Sequence, residues 1–186
     1  MADPLNDDDL YRRFLSKDIT AYDELIKRYY DGLLRYLYGI LADHYYAEDM
    51  TVEAFAAILA KKPGIGEGCF KAYLFRTGRN LAIRYAKKNR RADIFSFEEL
   101  ETAAISDSSP EREIIESEKK EILQNSLEQI DPKLKEALYL VYTNEMSYAE
   151  ASEVMGISKK KLDHMLEKGK KLLKEELLKK GMDHLS

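Results

Sequence analysis

The run FKAYLFRTGRNLAIRYAKKNRR, from Phe70 to Arg91, carries eight basic residues and no acidic one in a chain whose formal net charge is −4. Lys71, Arg76, Arg79, Arg84, Lys87, Lys88, Arg90 and Arg91 supply the charge, with Phe70, Tyr73, Phe75 and Tyr85 set among them. At about 100° per residue, Phe70, Leu74, Thr77, Leu81 and Tyr85 fall on one helical stripe expected to be buried. Arg76, Arg79, Asn80, Ile83, Lys87 and Arg90 then project from the opposite face. Arg and Lys neutralise phosphates and Asn can read a base edge, so this face suits a polyanion of the nucleic-acid type. A solvated charged face is the plainer alternative for such a run taken alone.

Upstream, the apolar spacing is helical throughout. Asp7 to Ser16 makes a short first helix. Thr20-Ala21-Tyr22-Asp23 has the form of a capping box before Tyr22, Leu25, Ile26, Tyr29, Tyr30, Leu33, Leu34, Leu37, Ile40 and Leu41. A third helix points Ala47, Met50, Ala54, Phe55, Ile58 and Leu59 inward and ends before Pro63 and Gly64. Its other side carries Glu48, Asp49, Val52 and Glu53, a negative face opposed in sign to the cationic helix. Gly64-Ile65-Gly66-Glu67-Gly68 has no strand before it and no Gly-Lys-Ser/Thr after it, so it is an interhelical loop rather than a phosphate loop.

Charge divides the chain. Residues 1–92 hold 16 basic and 13 acidic groups, residues 93–118 one and nine, and residues 119–186 13 and 12. An acidic linker (93–118, with Ser106-Asp107-Ser108-Ser109-Pro110 at its centre) therefore joins a helical domain at 1–92 to a second domain at 119–186. In the second, Ile115, Ile122, Leu123, Ser126, Leu127 and Ile130 mark a helix. Asp131-Pro132 opens the next, with Leu134, Ala137, Leu138 and Val141 inward. Ser147-Tyr148-Ala149-Glu150 caps a short helix that stops at Met155-Gly156. Ser158 then caps a longer one with Leu162, Met165, Leu166, Gly169, Leu172 and Leu173 inward. Short capped helix, glycine turn, longer capped helix is the sequence form of a helix-turn-helix. Its outward face carries Lys160, His164, Lys168 and Lys171, with Asp163 and Glu167 nearby.

The fold class is thus all-α, an amino-terminal helical bundle and a helix-turn-helix domain. The single cysteine, Cys69, cannot form an internal disulfide and fits a reducing, cytoplasmic setting. The acidic start lacks an apolar signal core, and no run of eighteen apolar residues exists to span or insert in a membrane. No nucleophile–base pair or metal-ligand spacing occurs, so neither an enzyme nor a cofactor is expected.

Four segments, in order, resemble the bacterial RNA polymerase sigma factors of the extracytoplasmic-function (ECF) group. Tyr46 to Phe55 is similar to AEDLxQExF, and Phe70 to Ala82 to FRAWLYRIARNLA. Ile130 to Leu138 is similar to LPxxxREAL, and Met146 to Ser158 to LSYEEIAEILGIS. The resemblance runs from about Leu10 to Lys180. It implies a non-enzymatic initiation factor that binds core RNA polymerase and promoter DNA, with an anti-sigma factor as a further partner. It assigns Glu48, Asp49, Val52 and Glu53 to core binding. It assigns Arg76, Arg79, Asn80, Ile83, Lys87 and Arg90 to the minus-ten element, a flipped base being held near Asn80 and the loop Gly66–Phe70. Lys160, His164, Lys168 and Lys171 fall to the minus-thirty-five element. Val52 stands where the family has glutamine and Tyr73 where tryptophan is common. Asp163, Met165 and Glu167 occupy recognition-helix positions that are commonly basic or polar. These departures leave two alternatives open, a sigma-like mimic or decoy with impaired DNA reading and a simple helix-turn-helix repressor.

Overall fold

A computed structural model describes residues 6–89, 123, 125–127 and 129–179. The acidic linker, Arg90, Ile115 and Ile122 lie outside these residues. The elements run α1 (Asp7–Leu15), α2 (Ile19–Leu41), α3 (His44–Lys61), α4 (Phe70–Lys88), α5 (Pro132–Leu138), α6 (Tyr148–Met155) and α7 (Lys159–Lys179). A short π-helical turn, Tyr139–Thr143, extends α5. The described residues contain no strand, as the periodicity requires.

Helix starts follow local side-chain chemistry. Ser147 and Glu150 form the reciprocal capping box at α6. Asp131 accepts from the Lys133 amide beside Pro132 at α5, and Asp43 accepts from the Tyr46 amide at α3. Gly156 ends α6 at φ +66°, a conformation that glycine adopts without a Cβ penalty. The start of α2 differs from expectation. Its cap is Asp18, which takes both the amide and the hydroxyl of Thr20, because Lys17, the residue before it, turns the chain at φ +76°.

The first four helices share a core of Leu10, Phe14, Tyr22, Leu25, Leu33, Leu37, Ile58, Phe70 and Leu74. Burying each large apolar side chain contributes about 1.5–3 kcal/mol. Tyr22 stacks on Phe14 at 4.5 Å, and its buried hydroxyl donates to the Phe55 carbonyl at 2.7 Å. Close approach of α4 to α2 depends on Gly78, where a Cβ would lie 3.0 Å from Leu33 and 3.2 Å from Leu37. On α3 the inward stripe is Ala47, Thr51, Ala54, Phe55 and Ile58. Thr51 is buried because its hydroxyl donates to the Ala47 carbonyl, while Leu59, expected inward, is exposed.

The helix-turn-helix packs directly on this bundle. Tyr36 of α2 is fully buried, stacked against Tyr139 (centroids 6.2 Å, planes 7° apart) and tilted by 32° against Phe75 of α4 at 5.6 Å. One apolar cluster therefore runs from Leu10 to Leu166 across both groups of helices. Its consequence is visible on α4, where the buried residues are Phe70, Ala72, Leu74, Phe75, Gly78, Ala82 and Ala86. Thr77, Leu81 and Tyr85, expected on the buried stripe with Phe70 and Leu74, are only half-buried. The covered arc is shifted and widened because neighbours reach α4 from more than one side.

Candidate functional site

On α3, Glu48, Asp49, Val52 and Glu53 are all exposed, as the wheel requires. Two apolar side chains join them. Tyr45 is 67%, Val52 54% and Leu59 40% exposed, and spacing of seven places all three on one stripe of the helix. The result is an apolar strip edged by carboxylates, which suits a protein partner carrying its own apolar and basic groups. Tyr45 and Leu59 were missed from sequence. The repeat Tyr45–Val52–Leu59 was the available signal.

The cationic helix α4 carries its face in two parts. Arg76, Asn80, Arg84 and Lys87 are exposed, Ile83 is half-buried, and Arg90 lies outside the described residues. Arg79 is not free. Its Nε donates to Glu136 Oε1 at 2.6 Å and its Nη2 to Oε2 at 3.1 Å, a bidentate pair to α5, the helix ahead of the helix-turn-helix. The Tyr36 hydroxyl donates to the same carboxylate at 2.6 Å. Burial alone would lower the Arg79 pKa, but Glu136 outweighs it and the guanidinium pKa is raised. Burial and the Glu136 charge together hold the Tyr36 phenol well above its ordinary range.

Ahead of α4, the Gly68 amide donates to both oxygens of Asp8, at 2.8 and 3.0 Å, tying the loop to α1. A cavity of about 150 Å³ opens there between Tyr11, Leu15, Ile65 and Phe70. In the helix-turn-helix, Lys160, His164, Lys168 and Lys171 are exposed on α7, and so are Asp163 and Glu167. Among the described residues no three His, Cys, Asp or Glu side chains are placed to hold a metal ion. No described helix is long and apolar enough to cross a membrane.

Two sequence families match in the order of these surfaces. Sigma-70 region 2 covers residues 25–92 and so contains α3 and α4; Sigma-70, region 4 covers residues 120–173 and contains the helix-turn-helix. Among curated proteins, the ECF RNA polymerase sigma factor SigM of Bacillus subtilis (strain 168) is 26% identical over 82% of this chain and 92% of its own length. The chain is an ECF sigma factor. Other relatives of this group are longer than the chain. The ECF RNA polymerase sigma factor BldN of Streptomyces coelicolor is 28% identical over 80% of this chain but 57% of its own length. SigE of Mycolicibacterium smegmatis is 24% identical over 87% of this chain and 63% of its own length.

Solved structures share the fold. CnrH, determined with the cytosolic domain of CnrY, superposes with a TM-score of 0.59 at 20% identity over 90% of this chain and 94% of that one. RpoE of Bartonella quintana, determined with the anti-sigma factor NepR, gives 0.62 at 17% identity over 88% and 98%. As a sigma factor the chain associates with core RNA polymerase and promoter DNA and directs transcription initiation.

Proposed function

We propose that the sigma factor divides its work between the two opposed faces of its amino-terminal helices. Residues 1–92 form the core-binding and minus-ten domain, 93–118 an acidic tether, and 119–186 the upstream-element domain. Glu48, Asp49, Val52 and Glu53, extended by Tyr45 and Leu59, dock α3 on core RNA polymerase. Arg76, Arg79, Asn80, Ile83, Lys87 and Arg90 meet the minus-ten strand. Binding energy to an unpaired strand offsets unstacking of about a few kcal/mol per base, so no nucleotide hydrolysis is needed. Lys160, His164, Lys168 and Lys171 approach upstream DNA chiefly through phosphates, since lysine discriminates bases weakly.

The observation that carries this reading is the pairing of an exposed apolar-acidic strip on α3 with an exposed row of Arg76, Asn80, Arg84 and Lys87 on α4. An anti-sigma factor is a further partner in this proposal; RpoE of Bartonella quintana, similar in fold, was solved with one.

Separation of the two faces is the test. In reconstituted holoenzyme, Asp49→Ala with Glu53→Ala should weaken core binding. Asn80→Ala with Lys87→Ala should leave core binding intact and reduce promoter opening. Loss of both properties in both variants would refute the division.

A further inference from the structure

The exposed row on α7 has an acid in its middle. Lys160, His164 and Lys171 define the outward direction of this helix, and Glu167, at about 100° per residue, lies roughly 40° from it. Glu167 follows Lys160 by seven residues and His164 by three, and precedes Lys171 by four, so all three are its neighbours on the surface. Asp163 is turned about 80° aside and has the shorter side chain.

The rotation of α7 is fixed from its buried side. Leu162 and Leu166 are fully buried, and a Cβ at Gly169 would lie 3.1 Å from Leu138, so α7 sits close on α5. Ser158 accepts from the Lys161 amide and sets the helix start. Among the described residues no hydrogen bond or ion pair engages the Glu167 carboxylate. Lys171 has the spacing to pair with it and does not. Lys170 donates instead to the Tyr142 hydroxyl and feels Glu167 only as a weaker coulombic influence.

A carboxylate set among phosphate-seeking cations weakens binding to every duplex unless a base supplies it with a donor. An ionised carboxylate only accepts, so guanine O6 and N7 and thymine O4 repel it in the major groove. Adenine offers its N6 amino group beside the N7 acceptor, whereas cytosine presents the N4 amino group alone.

We propose that Glu167 selects a cytosine in the upstream element by accepting from its N4 amino group. The inference rests on the assignment of α7 to upstream DNA given above. Lys160, His164 and Lys171 attract any sequence through its phosphates. Glu167 converts that attraction into a choice by penalising the other three bases.

Selection by reconstituted holoenzyme from duplexes of random sequence tests this. The pool bound by the parent should hold one upstream cytosine preferred at least about tenfold over each other base, the discrimination of one well-read base pair. Glu167→Gln should move that position to adenine, because an amide engages both N6 and N7. Glu167→Ala should leave the position undiscriminated to within about twofold, with the other upstream positions unchanged. A parent pool without that cytosine, or a Glu167→Ala pool that keeps it, overturns the proposal. A change spread evenly over all positions does the same. Failure of the α7 assignment reads differently: Lys160→Ala with Lys171→Ala would then leave upstream preference and holoenzyme affinity unchanged.

Discussion

Val52→Asp separates docking from folding most sharply. The side chain is 54% exposed at the centre of the α3 strip, so a partner that covers it buries roughly half a valine. Full burial of such a side chain is worth about 1.5–3 kcal/mol, which makes this share about 1 kcal/mol. Aspartate forfeits that term and brings a carboxylate whose desolvation costs about 1–3 kcal/mol more. The sum, about 2–4 kcal/mol, corresponds to a loss of roughly 30-fold or more in affinity for core polymerase. Folding should hardly respond, because an exposed substitution between residues of similar helix propensity stays within about 0.5 kcal/mol. Equilibrium competition against a labelled sigma factor for cognate core enzyme, with thermal unfolding alongside, measures both. Affinity within about twofold of the parent at an unchanged melting temperature would refute the role of the strip.

Lys87→Ala should weaken promoter opening by holoenzyme and reduce the slope of log affinity against log salt by about 0.7–0.9, the share of one phosphate contact; an unchanged slope counts against that contact. Asp163→Lys replaces an exposed acid on α7 with a base and should tighten upstream-element binding by roughly fivefold. Gel-shift titration that finds no gain would mean the position faces away from DNA. Alkaline titration gives a third check. Burial raises the phenol of Tyr139 to about 12 and moves Tyr22, Tyr29 and Tyr36 in the same direction. A phenol whose folded pKa exceeds its unfolded value near 10 contributes stability that is complete below pH ~10 and lost as pH rises toward 12. The tyrosinate absorbance of these four phenols should therefore appear together with loss of helical signal above pH ~10, and ionisation of all tyrosines with the fold intact would contradict this.

Much of the architecture could be read from local pattern because helix caps and three-four spacing are local physics. Ser147 with Glu150, Asp131 with Pro132, and Gly156 each acted where the sequence put them. The cap of α2 was misplaced because Asp18 and Thr20 both carry the chemistry, and the turn at Lys17 decides between them. Leu59 was assigned inward by its apolar side chain and Thr51 was overlooked for its hydroxyl. The helix reverses both, since a threonine can satisfy itself on the preceding turn and bury its methyl. The position of Arg79 was not legible at all. Its partner Glu136 lies 57 residues away across the acidic segment, and no periodicity in α4 announces a second domain on its flank. The packing of Tyr36 on Tyr139 and the Arg79–Glu136 pair reveal that part of an outward face has become a seam.

Run-off transcription with purified core enzyme, using genomic fragments as templates, tests the central claim most directly. Adding the chain should yield discrete transcripts from a small set of sites, with permanganate-reactive thymines marking opened DNA at each start. A chain that binds core enzyme yet gives no specific transcript from any fragment would contradict the account.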